Sequence, residues 1–289
     1  MLEASELILN ADKSIYHLNL LPEDISDIII VVGDQNRVAQ VSSYFDTIEI
    51  KKSKREFITH TGVLHGKRIT VLSTGIGADN IDIVLNELDA LANIDFITRT
   101  VKKEFTRLKI VRIGTSGAIQ PDIPVDSFVL SEYAFGFDGV LHFYKNEGIV
   151  NDDFSKAFVD HVDWSTKKPW PYLVKSDDDL RAKLVSNRIR LGVTVTNSGF
   201  YGPQGRKLRL DLQDPDFNHK MQSFTHEGMQ ITNLEMESSA LYGLSKLLGH
   251  QAVSLNCIIA NRVLGEFSQN PRKTIDHLIE YTLQRLTTG

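Results

Sequence analysis

Runs of apolar residues change their period several times along the chain, and each change marks an element. Asp27 to Val32 (DIIIVV) is an unbroken β-branched run stopping at Gly33, as expected of a strand buried on both faces of a parallel sheet. Gly33-Asp34 then opens a helix through Tyr44. Residues 55–63 (REFITHTGV) and 67–73 (KRITVLS) read as strands, with His65-Gly66-Lys67 as the hairpin turn. After Thr74-Gly75-Ile76-Gly77, apolar residues at 81, 84, 85, 88 and 91 predict a helix from Asn80 to Leu91. Leu108 to Ile113 reads as a second buried strand, ending in a glycine-bracketed turn, Gly114-Thr115-Ser116-Gly117. Further strands are predicted at 127–131, 191–196, 230–234 and 252–260, and amphipathic helices at 236–248 and 271–287. The acidic run Ser176-Asp177-Asp178-Asp179 reads as a helix N-cap and first turn. Ala92 to Arg107, with Arg99, Lys102, Lys103 and Arg107, reads as a solvated extension of the helical layer. Strands alternating with helices predict an α/β fold: a single domain over residues 1–289 with a central, mostly parallel or mixed sheet flanked by helices.

Composition narrows the class. With 289 residues, 42% hydrophobic and 24% charged, the chain can bury a full core. A net charge of -5 and a pI near 6.0 argue against phosphate-backbone binding, so no nucleic-acid partner is expected. The one cysteine, Cys257, lies in an apolar run and reads as a small core hydrophobe. No run approaches a membrane span and the first 20 residues mix acids with apolars, so a cytoplasmic protein with no membrane partner is expected.

Candidate chemistry gathers at four places. Backbone N–H groups and hydroxyls around Thr115 and Ser116, next to Arg112, would suit an oxyanion. Arg37, Arg55 and Arg112 each stand beside a glycine turn or a strand start, and together suggest a phosphate cradle, because guanidinium forks match tetrahedral oxyanions. Glu235 and Glu237 are two apart at a strand-to-helix junction, which can aim both into one cleft; carboxylates there can grip ribose hydroxyls, or serve only as helix-start acids. Gln204 and Arg206 offer an amide and a guanidinium to a planar heterocycle, with Phe200 as a face to stack on, although a plain Pro/Gly loop is an equally fair reading of that segment alone. Gly75-Ile76-Gly77 lacks the third glycine of a dinucleotide motif and has no acid at the right spacing.

Taken in order, Val32-Gly33-Asp34 with Arg37, Arg55-Glu56-Phe57, Ser73 to Gly77, Arg112 to Pro121, Gln204 with Arg206, Glu235-Met236-Glu237-Ser238 and Asn261-Arg262 resemble the nucleoside phosphorylase superfamily in its hexameric, trimer-of-dimers branch. Within that branch the chain is most similar to the uridine phosphorylases. The resemblance implies reversible phosphorolysis of a pyrimidine nucleoside, uridine and phosphate giving uracil and α-ribose 1-phosphate, in pyrimidine salvage. It implies no cofactor and no metal, phosphate being a co-substrate. Gly33, Arg37, Arg112 and Thr115 match phosphate ligands, and Arg55 matches an arginine reaching the neighbouring subunit's phosphate. His17 matches a histidine at the ribose 5′-hydroxyl across the same interface, while Ser116, Met236 and Glu237 match ribose binders. Gly117, Phe200, Gln204 and Arg206 match the base site, and Arg262 an arginine on a loop closing over the base. Arg112, Gln204, Arg206 and Arg262 would thus carry the catalysis. Asn261 stands where purine-specific relatives have an aspartate, which favours a pyrimidine. A homo-oligomer follows, with a dimer as the minimal active unit and a hexamer compatible. Purine phosphorolysis, hydrolytic cleavage within the same superfamily, or a catalytically silent nucleoside-binding module stay open as alternatives.

Overall fold

Alternation on the first strand shows how the layers are built. The computed structural model describes residues 1–288. In β1 (Ile28–Val32), Ile29 and Val31 join one apolar cluster and Ile30 and Val32 join another, so each face of the sheet carries its own core. The first cluster takes in α2 (Ala78–Asn93), through Ile81, Val84, Leu85, Leu88 and Leu91, and α6 (Ser238–Leu247). The second takes in α1 (Gln35–Ser42), α4 (Asp178–Leu184) and α7 (Pro271–Thr287). A third, aromatic cluster around Phe135, Phe137, Phe154 and Phe158 seats α3 (Asp152–Val162) and α5 (Phe217–Ser223).

Between these layers β1 pairs in parallel with β4 (Lys67–Ser73) on one side and β7 (Lys109–Ala118) on the other. Beyond β4 come β3 (Phe57–Leu64) and the edge strand β2 (Thr47–Lys54), both antiparallel. Beyond β7 come β13 (Gln251–Asn261), β8 (Phe128–Gly136), β10 (Ile189–Thr196) and β12 (Met229–Glu235). Strand β12 turns back on the end of β7, pairing Leu234 with Gly117 and Asn233 with Ala118. Five strands therefore close into a ring, leaving β1, β4, β3 and β2 as an open wing. Short strands β9 (Tyr172–Lys175), β11 (Thr225–His226) and β14 (Glu266–Phe267) complete the 12-stranded mixed sheet, and β5 (Ile94–Asp95) pairs only with β6 (Thr100–Val101). The α/β class, the mixed sheet and the flanking helices are as expected; β2, β9, α3 and α5 were not predicted.

Two expectations are corrected. Gly114-Thr115-Ser116-Gly117 is not a turn: β7 runs through it to Ala118, paired along its length with β13 and at Gly117 and Ala118 also with β12. Gly114 makes room for a side chain, since a Cβ there would lie 2.0 Å from Nη1 of Arg112, whereas a Cβ at Gly117 would lie 3.5 Å from Cγ of Arg262, an ordinary contact. Nor does 92–107 extend the helical layer. Helix α2 ends at Asn93, and the chain forms the small β5–β6 hairpin, where Arg99 donates to the carbonyls of Leu2, Glu3 and Leu7. Arg99 thus ties down the N-terminal segment, a long-range use that local periodicity does not register. No helix among the described residues is long and apolar enough to cross a membrane.

Candidate active site

Register and alternation together place the central guanidinium. In β13, Val253, Leu255 and Cys257 enter one core, which leaves Ser254 and Asn256 on the opposite face. Arg112 pairs with Ser254 in register, so its side chain meets that polar pair, donating from Nη1 to Asn256 Oδ1 at 2.9 Å and to Ser254 Oγ at 3.3 Å. It curls over the bare Cα of Gly114 to do so. Nη2 donates to Glu237 Oε2 and lies 3.3 Å from Glu235 Oε2. Arg112 and both carboxylates are buried, and burial alone would lower the guanidinium pKa; Glu235 and Glu237 outweigh it and hold the pKa above its ordinary value.

The two glutamates do different work. Glu235 accepts the N–H groups of Glu237 and Ser238 and the hydroxyl of Thr196, which caps the first turn of α6. The helix-start reading therefore holds for Glu235. Glu237 instead reaches across the cleft, where Oε1 accepts the N–H of Gly77 at 2.8 Å. That N–H sits at the N-terminus of α2, whose dipole favours an anion, and Gly77 has φ +102°, a conformation that excludes a side chain. Burial pushes the Glu237 carboxyl up, Arg112 pulls it back, and Glu235 adds to the rise, leaving its pKa above the ordinary glutamate value.

These groups form one wall of a cavity of about 640 Å³, within the range of small-molecule sites. Its lining comes from the C-terminal ends of β1, β4, β7 and β13, the usual ligand edge of parallel sheets, and from the β12–α6 junction. Gly33, Arg37, Arg112, Thr115, Ser116, Met236 and Glu237 line it, as do Gly117, Phe200, Gln204 and Arg206. Arg37 is buried, donates from Nη1 to the carbonyl of Ile113 at 3.2 Å, and its Nε has no partner. Burial, and then the charge of Arg112, lower its pKa. Ser116 accepts from Asn233 at 2.8 Å, across the seam that closes the ring.

Gln204 and Arg206 meet each other as well as the cavity. Arg206 Nη1 donates to Gln204 Oε1 at 2.5 Å and to the Phe200 carbonyl at 2.7 Å, and its guanidinium lies 3.8 Å from the centroid of the half-exposed Phe200 ring. Burial, with Arg262 nearby, draws the Arg206 pKa down to about 10. Arg262 does not itself line the cavity; its Nη1 reaches the carbonyl of Gln204 at 3.2 Å, so it backs the loop.

Two expected residues also lie outside the lining. His17 is bound to Glu87 at 2.6 Å through Nδ1, and Arg55, at φ +55° in the turn between β2 and β3, lies 5.7 Å from the centroid of Tyr16. His17 packs edge-on against the same Tyr16 ring, so the two share one surface patch. The patch borders the cavity, because the lining residue Gln35 donates to the Arg55 carbonyl at 3.0 Å. Sequence reasoning missed Phe267, Ile259, Gln35 and Glu56 as lining residues. Of these, Glu56 carried a signal as part of the Arg55-Glu56-Phe57 stretch, and Phe267 as an isolated aromatic just beyond the Asn261-Arg262 motif.

A cleft at the ligand edge of an α/β sheet, with two buried arginines and an amide–guanidinium pair on its lining, has the donors that an anion and a polar organic molecule would need. The profile of the Phosphorylase superfamily matches residues 27–284, and the chain belongs to that family. It is 33% identical over 254 residues to the uridine phosphorylase of Treponema pallidum, covering 86% of this chain and 82% of that protein. It is 28% identical over 284 residues to the uridine phosphorylase of Escherichia coli, covering 94% and 96%. A Trypanosoma brucei nucleoside phosphorylase, described as showing uridine phosphorylase activity, superposes with a TM-score of 0.86 at 26% identity, covering 98% of this chain and 100% of that one.

Proposed function

We propose that this protein catalyses the reversible phosphorolysis of uridine, giving uracil and α-ribose 1-phosphate. The observation that carries the reading is that Arg37 and Arg112 line one cavity, close enough for the charge of Arg112 to lower the Arg37 pKa, with a buried N–H donor of Arg37 left unpartnered. An oxyanion there would meet that donor and relieve the repulsion between the two cations. Arg37, Arg112, Gly33 and Thr115 would hold phosphate. Glu237, Met236 and Ser116 would hold the ribose, and Gly117, Phe200, Gln204 and Arg206 the base.

In the reaction a phosphate oxygen bonds to C1′ as the C1′–N1 bond breaks, and the bonding pair leaves with the base, which takes up a proton to become uracil. Positive charge grows on the sugar and negative charge on the base carbonyls. The bound anion answers the first, and Gln204 and Arg206 answer the second by donating to the base. Each donor aimed at developing charge contributes roughly 2.7–4 kcal/mol. Arg262 supports this from behind, through the Gln204 carbonyl. No cofactor or metal enters the scheme, phosphate serving as co-substrate.

His17 and Arg55 would serve a neighbouring subunit, since they share a patch at the cavity border yet are absent from this chain's own lining. A two-fold dimer is then the smallest active unit, with a hexamer compatible. Its place would be the cytoplasm. The decisive test incubates the protein with uridine in the presence and absence of inorganic phosphate. Uracil release with ribose 1-phosphate, only when phosphate is present, supports the reading; equal release without phosphate would make the protein a hydrolase.

A further inference from the structure

The last residue of β13 is Asn261, from which the chain turns through 262–265 into β14. This hairpin carries Arg262 to the back of the Gln204 loop and Phe267 to the cavity lining. Asn261 itself is buried, 1% exposed, and is absent from the lining. Its Nδ2 donates to the carbonyls of Gln120 and Ile123, both at 2.9 Å, in the connection between β7 and β8. Its Oδ1 accepts the N–H groups of Val263 and Leu264, both at 3.0 Å. A primary amide offers two donor hydrogens and two acceptor lone pairs, and all four are used on backbone. From there the contacts continue outward: the Arg262 N–H donates to the Ala118 carbonyl at 2.8 Å, and Arg262 Nη1 meets Gln204.

We propose that Asn261 is a positioning residue for recognition of the base: without touching substrate, it staples the 262–265 turn to the β7–β8 connection, and so fixes Phe267 over the cavity and Arg262 behind Gln204. The proposal rests on the nucleoside reading of the cavity given above. The site requires an amide. An aspartate is nearly isosteric and could still accept from Val263 and Leu264, but its other oxygen would face two carbonyl oxygens with no proton to offer. The phosphate end should feel little of this, because Arg37 and Arg112 are held by α1, β7, β13 and the β12–α6 junction.

The test is steady-state kinetics on full-length Asn261→Asp, varying uridine at saturating phosphate and then phosphate at saturating uridine. The expected result is a KM for uridine raised about tenfold, the effect of losing one modest hydrogen-bonded constraint, with KM for phosphate unchanged. A fall in kcat alone, or an equal rise in both KM values, would assign Asn261 to general stability and overturn the proposal. A second measurement needs no variant: hydrogen exchange on the wild-type protein, with and without uracil. Slow exchange at Val263 and Leu264, deepening across 262–267 with uracil, supports the staple, and exchange there at open-turn rates overturns it. Should the wild type leave uridine untouched, the nucleoside reading fails, while exchange at Val263 and Leu264 without ligand still decides whether the staple exists.

Discussion

Replacing Gly114 by alanine adds a single methyl group and no charge, yet it should disable the anion end of the cleft. The added Cβ would sit 2.0 Å from Arg112 Nη1, 2.5 Å from Cζ and 2.8 Å from Nη2. To restore even a 3.0 Å contact the guanidinium must retreat by at least 1.0 Å, the difference between 3.0 and 2.0 Å. The strand backbone at Gly114 is extended, so alanine adds no strain of its own. The retreat pulls Nη1 off Asn256, now at 2.9 Å, and loosens the pair with Glu237. Losing one such charged hydrogen bond costs about 1.5–3 kcal/mol of stability, a shift of several degrees in the melting midpoint. A positioning error near 1 Å costs on the order of 100-fold in rate. Initial rates with phosphate varied at saturating uridine should therefore show kcat/KM for phosphate down by about 100-fold, with a smaller change in KM for uridine. Unchanged phosphate kinetics together with an unchanged melting midpoint would show that Arg112 does not lie over Gly114, and the assignment of the anion site would fall with it.

Glu237→Gln should harm cleavage of uridine more than that of 2′-deoxyuridine, because the side chain is assigned to the sugar hydroxyls; equal losses on the two substrates would contradict that contact. Since burial lifts the Glu237 carboxyl pKa, acidification should protonate it and reduce wild-type activity at pH values above the ordinary glutamate pKa of about 4.3. A raised carboxyl pKa means that protonation favours the folded state at this group, so circular dichroism should stay native while activity falls, and Glu237→Gln should lack the limb. An identical limb in the variant would exclude Glu237 as its source. Mixing Arg55→Ala chains with Arg37→Ala chains should recover about a quarter of wild-type activity, because about half of randomly exchanged dimers are hybrids and each holds one intact site of two. Native mass spectrometry that confirms hybrids without recovered activity would place the whole site within one chain.

Period and residue type made the buried elements legible. The run DIIIVV, the β3–β4 hairpin, the stripe of α2 and the strand at 252–260 all stand near where their patterns put them, because their apolar faces meet the core directly. Polar elements were not legible: β2 (TIEIKKSK) is an edge strand with no residue in the core, and its half-buried Lys52 and Lys54 bind Asp24, Asn10 and the Tyr16 carbonyl, so it carries no apolar stripe. The misread GTSG segment is instructive in the same way. Its glycines looked like turn residues, but Gly114 answers to Arg112, whose side chain is held by Ser254 and Asn256 of β13 far along the chain. In the cleft, residues that sit in compact motifs, such as Gly33 with Arg37 or Met236 with Glu237, were found from sequence. Phe267 and Ile259 were not, since Phe267 reaches the cavity through the pairing of β14 with β13, and Ile259 stands at the register shift of β13 against β7. The opposite duties of Glu235 and Glu237 were also invisible, for they depend on Thr196 and Gly77.

The seam between β7 and β12 has a consequence in time as well as in space. Arg112 and Glu237 are 125 positions apart, and Ser116 and Asn233 are 117 apart. As the chain leaves the ribosome, the end of β7 must wait for more than a hundred further residues before the partners that close the ring exist, and contacts of such high sequence separation form slowly. Until then Thr115 to Ala118 is an unpaired strand edge, open to pairing with another nascent chain. The open wing of β1 to β4, built from near neighbours, can order first and pair with Lys109 to Arg112 at the start of β7. Assembly of the cleft is thus bound to the last long-range step of folding, so recovery of activity after dilution from denaturant should lag behind recovery of helix signal.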